Sequence, residues 1–203
     1  MIFSYNKEHV GDVLMVIVAD DQGQENHVER KGNTAKVTVA DGTIVAWNIF
    51  EVSAVLGEIA GQGQIKLSQE QVDRLNEAIA KDGFSETLVL DLEPKIVIGF
   101  VKSCKKHPDS DHLSITQTEV DNGTILQIVC GAPNIKAGQK VVVAKPGAMI
   151  PDGMMIWPGK LRGVESLGMI CSARELNVPN APQKKGILEL PFDAKVGEPF
   201  SAE

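Results

Sequence analysis

Residues 125–154 read ILQIVCGAPNIKAGQKVVVAKPGAMIPDGM and show almost no helical periodicity. Two apolar runs, 125–130 and 140–144, are rich in the β-branched side chains that favour strands. Turn residues follow these runs, at 132–134, 146–147 and 151–153. The stretch therefore predicts short strands joined by tight turns.

The same pattern extends in both directions, from residue 95 to residue 171. Candidate strands lie at 96–103, 112–120, 124–130, 140–144, 160–162 and 169–171, with further turn signals at 107–111 and 121–123. About five strands in roughly 90 residues indicate a small closed barrel or a sandwich.

The N-terminal part has a different pattern, which predicts a small α+β domain. Segments 35–40 and 43–50 alternate apolar and polar residues. They flank Asp41-Gly42, a strong hairpin signal because both residue types tolerate the positive φ of a tight turn. Residues 1–21 are interrupted by polar side chains, so they predict two strands rather than a membrane span.

One helix and one further strand are expected before the domain boundary. Residues 68–81 carry an apolar stripe at helical spacing, and Ser68 with Gln71 can form a capping box at its start. A strand over 86–92 then leads to Pro94, after which we place the boundary.

Charge is distributed unevenly along the chain, whose net charge is −7. Residues 1–94 carry 7 Lys/Arg and 16 Asp/Glu, residues 95–185 carry 12 and 7, and residues 186–203 carry 1 and 4. Acidic flanks thus conceal a basic middle, which hints at an anionic partner for that part alone. We expect a small acidic α+β domain of unknown role over 1–94 and a second domain over 95–203.

The stretch LRGVESLGMICSAREL (161–176) raises the question of a nucleophile on a tight turn, at Ser166 or Cys171. A nucleophile elbow needs glycine two residues before and after the serine, and Val164 occupies the first of these positions. No helix start is evident that would lower the pKa of Cys171. We therefore expect no catalytic residues and no enzymatic activity; an enzyme that uses either residue is the alternative.

The three cysteines stand at wide spacing. Cys104-x-x-His107 has the spacing of a metal-ligand pair, but structural zinc sites have two such pairs. Cys130 and Cys171 lie in apolar strand contexts, where cysteine behaves as a small core residue. We expect no metal and no cofactor. The sequence shows no export signal, so reduced thiols in the cytoplasm are the simpler interpretation.

Lysine and arginine recur on the strands and loops of 95–185, and closure of the sheet would bring them onto one surface. Such a surface could contact nucleic-acid phosphates, or the lysines could simply keep strand edges soluble. Phe100 and Trp157 are the only aromatic residues in this part. Because a protein that stacks successive bases needs more, contacts to RNA shape and backbone are expected to dominate.

Three segments carry a resemblance to a known family: HPDSDHL (107–113), the quoted 125–154, and KLRGVESLGMICSARELNV (160–178). They closely resemble the tRNA-binding OB-fold domain found near the N-terminus of the bacterial phenylalanyl-tRNA synthetase β subunit. Relatives of that domain occur at the C-terminus of many methionyl-tRNA synthetases and in EMAP II-like cofactors. The overall layout resembles the stand-alone YtpR-type proteins of Gram-positive bacteria.

The resemblance implies a mainly β protein, with a five-stranded OB-fold barrel preceded by the small α+β domain. It implies non-catalytic tRNA binding in translation, largely by shape and phosphate backbone. A homodimer is a candidate assembly, and an aminoacyl-tRNA synthetase or another translation protein is a candidate partner; no membrane partner is implied. Carried over by motif, the RNA-binding candidates are Lys102, Lys105, Lys106, His107, Asn134, Lys136, Lys140, Lys145, Lys160, Arg162, Ser166, Met169, Ser172 and Arg174.

The first motif departs from the family pattern, which is commonly HPNADKL or HPNADRL. Asp109 stands in place of a neutral residue and His112 in place of a cation, so this turn is less positive. These changes and the acidic N-terminal half favour an alternative: a protein–protein interaction module that retains the barrel but has lost RNA binding. tRNA binding is the leading expectation.

Overall fold

The structure, a computed structural model, describes residues 1–121 and 123–202 and consists of two compact units, Met1–Leu92 and Glu93–Glu203. Asn122, the middle residue of the turn predicted at 121–123, lies outside the described residues. Within the described ranges, no helix has the length and apolar character needed to cross a membrane.

The first unit is an antiparallel sheet with α2 and α3 packed on one face. Its strands are β1 (Ile2–Tyr5), β2 (Val13–Ile17), β3 (His27–Lys31), β4 (Thr34–Thr38), β5 (Ile44–Phe50) and β6 (Gly63–Ile65), in the spatial order β3-β4-β5-β2-β1-β6. Its helices are α1 (Lys7–Val10), α2 (Val52–Leu56) and α3 (Gln69–Lys81). The two strands expected in the first 21 residues and the hairpin around Asp41-Gly42 are confirmed.

Helix α3 begins as its sequence predicts. The Gln71 N–H donates to Ser68 Oγ at 3.2 Å, and the Ser68 N–H donates to Gln71 Oε1 at 2.9 Å, so the capping box is confirmed. Val72, Leu75 and Ile79 are fully buried against the sheet. Burial of this stripe stabilises the unit by about 1.5–3 kcal/mol for each side chain.

The strand predicted over 86–92 is wrong. Residues 84–92 have no regular secondary structure, although their residue pattern resembles that of a strand. The side-chain amide of Asn76 accepts the Leu88 N–H at 2.7 Å and donates to the Leu88 carbonyl oxygen at 2.9 Å. A side chain of α3 therefore satisfies the backbone groups that a neighbouring strand would otherwise pair.

The second unit is built from short antiparallel strands. They are β7 (Ile96–Lys106), β8 (Ser114–Glu119), β9 (Ile125–Cys130), β10 (Lys140–Ala144), β11 (Ala148–Met149), β12 (Met155–Ile156), β13 (Gly159–Leu161), β14 (Val164–Ser166), β15 (Met169–Ile170) and β16 (Glu189–Leu190). The main sheet has the order β15-β10-β7-β8-β9, and β16 also pairs with β10. Within the described residues, β9 and β15 form no strand pair, so the ladder of paired strands is open.

Strand β7 serves two partners along its length. Residues 96–100 pair with β10 and residues 100–106 pair with β8. Gly99 permits the close approach of β7 to the Val143 side chain on β10, since a Cβ there would lie 2.7 Å from Val143 Cγ2. The register with β8 shifts between Val101 and Ser103, which marks a bulge at Lys102. The bulge re-aims the last residues of β7, where the basic side chains begin.

Candidate RNA interface

The 107–113 turn lies against the hairpin formed by β13 and β14. His107 is 3% exposed, and its Nε2 lies 3.2 Å from the carbonyl oxygen of Leu161, 54 residues away. Its Nδ1 accepts the Asp109 N–H at 3.1 Å, which leaves Nε2 to donate to the Leu161 carbonyl oxygen. Arg162 adds a second link, because its Nη1 donates to the Asp109 carbonyl oxygen at 3.0 Å. The hairpin that carries Lys160 is thus joined to the turn.

Other predicted cations lie where β7 ends. Lys105 and Lys106 are exposed on the last residues of that strand. Lys136 is exposed on the segment that passes beside it, which is held by the Gly138 N–H donating to the Val101 carbonyl oxygen at 2.8 Å. None of these three lysines forms an ion pair within residues 1–121 and 123–202. Their charges are available to an anionic ligand.

Two further lysines of the predicted set have partners of their own. Lys102 Nζ lies 2.8 Å from the carboxylate of Glu119. Lys140 Nζ lies 5.2 Å from the centroid of the Phe100 ring, a cation–π distance. Both remain at least partly exposed, so each could also meet a phosphate.

Lys145 is separated from the other candidates. It follows the last residue of β10, at the opposite end of that strand from Lys140. It is 8% exposed and its ammonium group is paired with the carboxylate of Asp121. Its own burial and its pairing with Asp121 leave Lys145 a structural role in the unit.

A cleft of about 450 Å³ opens beside residues 172–175. Arg174, Lys184 and Lys185 line it and are exposed, and none of them has an ion-pair partner in the part of the chain that the structure describes. The remaining wall contains apolar residues such as Pro133 and Ile187 and three polar ones, Asn134, Ser172 and Glu189. Three unneutralised cations around one concave surface favour an anionic ligand.

Two of the polar candidates, Asn134 and Ser172, form hydrogen bonds that hold the wall of this cleft in place. The Asn134 amide pairs with the backbone of Ile187, accepting its N–H at 2.9 Å and donating to its carbonyl oxygen at 3.2 Å. Ser172 and Glu175 form a reciprocal cap, with the Ser172 N–H 2.6 Å from the carboxylate and the Glu175 N–H 3.3 Å from Ser172 Oγ. This cap fixes the turn that displays Arg174.

Ser166 and Met169 are turned into the unit. Ser166 is 4% exposed; its hydroxyl accepts the Val129 N–H at 3.1 Å and donates to the Gly168 carbonyl oxygen at 3.2 Å. Met169 packs against the cluster around Val142 and Ile150. Neither side chain presents a free polar group to a ligand.

The chemistry available at Cys171 is also limited. The thiol is fully buried, and burial, followed by the nearby Glu175 carboxylate, raises its pKa to about 12. A thiolate is therefore scarce at neutral pH. Across residues 1–121 and 123–202, no group of three or more His, Cys, Asp or Glu side chains is placed to hold a metal ion.

A family model described as "Putative tRNA binding domain" matches residues 96–199, just over half of the chain. The chain belongs to this tRNA-binding domain family. A second model, described as "Domain of unknown function (DUF4479)", matches residues 21–91. The match over 21–91 falls in the first unit of the structure, and the match over 96–199 falls in the second.

Three proteins similar to this tRNA-binding family member differ in how much of the chain they match. The "Putative tRNA-binding protein YtpR" of Bacillus subtilis is 46% identical over 197 residues, 97% of each chain. The phenylalanine–tRNA ligase β subunit of Oceanobacillus iheyensis is 58% identical over 90 residues, which are 44% of this chain and 11% of that one. The crystal structure of a MetRS-related protein from Pyrococcus horikoshii covers 55% of this chain and 96% of its own, with 20% identity and a TM-score of 0.39.

Lys184 and Lys185 belong to the basic residues of 95–185 that the charge pattern indicates, but they are not among the candidates carried over by motif. Lys184 and Lys185 follow the third motif by several residues, so no motif carried them. Their sequence signal is the paired charge in Gln183-Lys184-Lys185-Gly186, a polar run just before a short apolar segment.

Proposed function

We propose that the chain binds tRNA through its phosphate backbone, with residues 95–203 as an OB-fold binding domain and no catalytic step. Family membership supplies the ligand class. The observation that carries the proposal is the cleft lined by Arg174, Lys184 and Lys185, three exposed cations without ion-pair partners in the described residues. Each can neutralise one phosphate and release its counterion.

The proposed surface has a second part at the end of β7. It contains Lys105, Lys106 and Lys136 together with the hairpin residues Lys160 and Arg162, all of them exposed. Lys102 and Lys140 lie beside this part and can contribute. Lys145, Ser166 and Met169 are left out, because their side chains are engaged inside the unit.

We further infer that the second unit is a five-stranded barrel of the OB type. In support, the free edge of β9 is joined to the segment that leads into β15. The Leu167 N–H donates to the Gln127 carbonyl oxygen at 2.8 Å, and Ser166 Oγ accepts the Val129 N–H. These bonds bridge the opening in the ladder without a regular strand pair.

Assembly and location are further proposals. We propose a small acidic domain over 1–94, a homodimer, association with an aminoacyl-tRNA synthetase or another translation protein, and action in the cytoplasm. The likeness to synthetase subunits supports the partner class, and three free thiols suit a reducing compartment. Light scattering of the purified chain measures the mass of the assembly, and a monomer at micromolar concentration would contradict the dimer.

Binding of total tRNA at several salt concentrations tests the function. We expect the logarithm of the binding constant to fall linearly with log salt. Replacing Arg174, Lys184 and Lys185 together by Ala should lower the slope by about three and the affinity by about a hundredfold or more. The matched control replaces three exposed lysines of the first unit, Lys7, Lys66 and Lys81, and should leave both unchanged. If the wild-type chain at micromolar concentration binds no tRNA in low salt, the proposed function is wrong.

A further inference from the structure

The tip of the β13–β14 hairpin is held by few contacts. Strand β13 is exposed along its whole length. At its base, the hairpin is fixed to β9, where Gln127 Nε2 donates to the Glu165 carbonyl oxygen at 2.9 Å. At its tip, the hydrogen bonds to other segments of the described chain come from His107, to Leu161, and from Arg162, to Asp109. The orientation of the tip therefore depends on the 107–113 turn.

The backbone conformation at the tip is strained for the residues that form it. Leu161 pairs with Val164, so Arg162 and Gly163 form a two-residue loop, with φ of +46° and +81°. A loop with two positive φ values favours Asn-Gly or Asp-Gly. Arginine at the first position is strained, and strain of this kind is found where a side chain has a function to perform.

The buried imidazole of His107 has both nitrogens in use. Nδ1 holds the turn through the Asp109 N–H, and Nε2 holds the hairpin through the Leu161 carbonyl oxygen. A buried side chain that is 3% exposed cannot itself form a contact with an RNA backbone without moving. Its position suits a connection between two elements that carry exposed cations.

We propose that His107 is a positioning residue for RNA binding, which holds the hairpin so that Lys160 and Arg162 face the ligand together with the cations at the end of β7. This inference rests on the proposed function. His107 acts through the hairpin and makes no contact with RNA. Without it, the tip moves away from the turn, and the two cations of the hairpin no longer contribute to a single surface.

Two substitutions separate the two bonds of the imidazole. His107→Asn places an amide oxygen near the position of Nδ1 and keeps the turn, but it is too short to reach Leu161. His107→Gln places an amide nitrogen near the position of Nε2 and keeps the bond to the hairpin. His112→Gln is the matched control, since His112 is exposed in the same turn.

Hydrogen exchange of residues 159–166 and tRNA binding at several salt concentrations are measured on the full chain. We expect His107→Asn to speed exchange in the hairpin, weaken tRNA binding about tenfold and lower the salt slope by about two. His107→Gln should restore all three values, and His112→Gln should leave exchange unchanged. If His107→Asn does not fold, Arg162→Ala weakens the same junction at an exposed site and should speed the same exchange.

Two outcomes overturn the inference. A folded His107→Asn variant with wild-type affinity, slope and exchange shows that the hairpin does not need the imidazole. Equal losses of affinity in His107→Asn and His107→Gln, with exchange unchanged in both, show a direct contact between the imidazole and RNA. Failure of the proposed function gives a different result. The wild-type chain then binds no tRNA, while hydrogen exchange still measures how firmly the 107–113 turn holds the β13–β14 hairpin.

Discussion

The hydroxyl of Ser166 accepts the backbone N–H of Val129 at 3.1 Å, and this bond joins the end of β14 to β9. The same hydroxyl donates to the carbonyl oxygen of Gly168 at 3.2 Å. Ser166 is buried, so its side chain takes the place of a backbone group in linking two segments 37 residues apart. Ser166, which the sequence raises as a candidate nucleophile, thus has a structural role in linking β14 to β9.

Ser166→Ala should lower the stability of the chain by about 1–3 kcal/mol, because it leaves the buried Val129 N–H without a partner. Thermal unfolding followed by circular dichroism measures this change. Ser201→Ala, at an exposed position near the C-terminus, is the control and should have no effect. tRNA affinity measured well below the unfolding transition should change little, whereas a large loss in the folded variant would show that Ser166 contacts RNA directly.

Gly168 is needed for its close approach to β10. Its φ is +145°, and a Cβ there would lie 2.8 Å from the Ala144 carbonyl oxygen. Gly168→Ala should therefore destabilise the chain by about 1–3 kcal/mol or more, measured by urea denaturation. Gly159→Ala is the matched control, because Gly159 has no positive φ and a Cβ there would meet no described atom within 4 Å. Equal stability of the two variants would contradict the steric argument.

Local features of the fold were predictable from the sequence, and long-range ones were not. The capping box of Ser68 and Gln71 involves residues three apart, and strand 140–144 shows in its own composition. The segment 86–92, where a strand was wrongly predicted, is also rich in apolar residues, but Leu88 in it is hydrogen-bonded to the side-chain amide of Asn76 on α3. Nothing in the periodicity of a segment specifies which side chain will satisfy its backbone.

In the candidate site, too, the local features could be predicted from the sequence and the long-range ones could not. The sequence motifs contain Arg162 and Arg174, and the structure places both on exposed turns. The cleft beside Arg174 depends on the pairing of Asn134 with Ile187, which lie 53 residues apart. That pairing cannot be seen in either segment alone, so the sequence indicates the positive charge of Lys185 but not its place in the cleft.

Asp12 links the sheet of the first unit to the start of α2. Its carboxylate accepts the Tyr5 hydroxyl at 2.8 Å and the Ser53 hydroxyl at 2.6 Å. Partial burial by itself would raise the pKa of Asp12, but the hydrogen bonds from Ser53 and Tyr5 outweigh it and lower the pKa below its usual value. The ionised form therefore stabilises the folded state.

Asp12→Asn should lower the melting temperature at neutral pH, and the difference from wild type should shrink in acid. A lowered folded-state pKa gives stability that is fully present above the unfolded value of about 3.9 and is lost as pH falls through the folded value. Melting temperatures of both proteins between about pH 7 and pH 3 measure the difference. The control is Asp73→Asn, on the exposed part of α3. A difference that stays constant down to the lowest pH would contradict the role of the charge.

Arg162→Asn should separate stability from binding at the hairpin tip. Asparagine adopts positive φ at less cost than arginine, so the Asn-Gly loop should form as readily or more so, with a gain of up to about 1 kcal/mol. The substitution removes a cation and the bond to the Asp109 carbonyl oxygen, so tRNA affinity should fall about tenfold. Urea denaturation and tRNA binding measure the two effects on one protein. A variant that is less stable and binds tRNA as tightly as wild type would show that Arg162 is kept for the fold and not for the ligand.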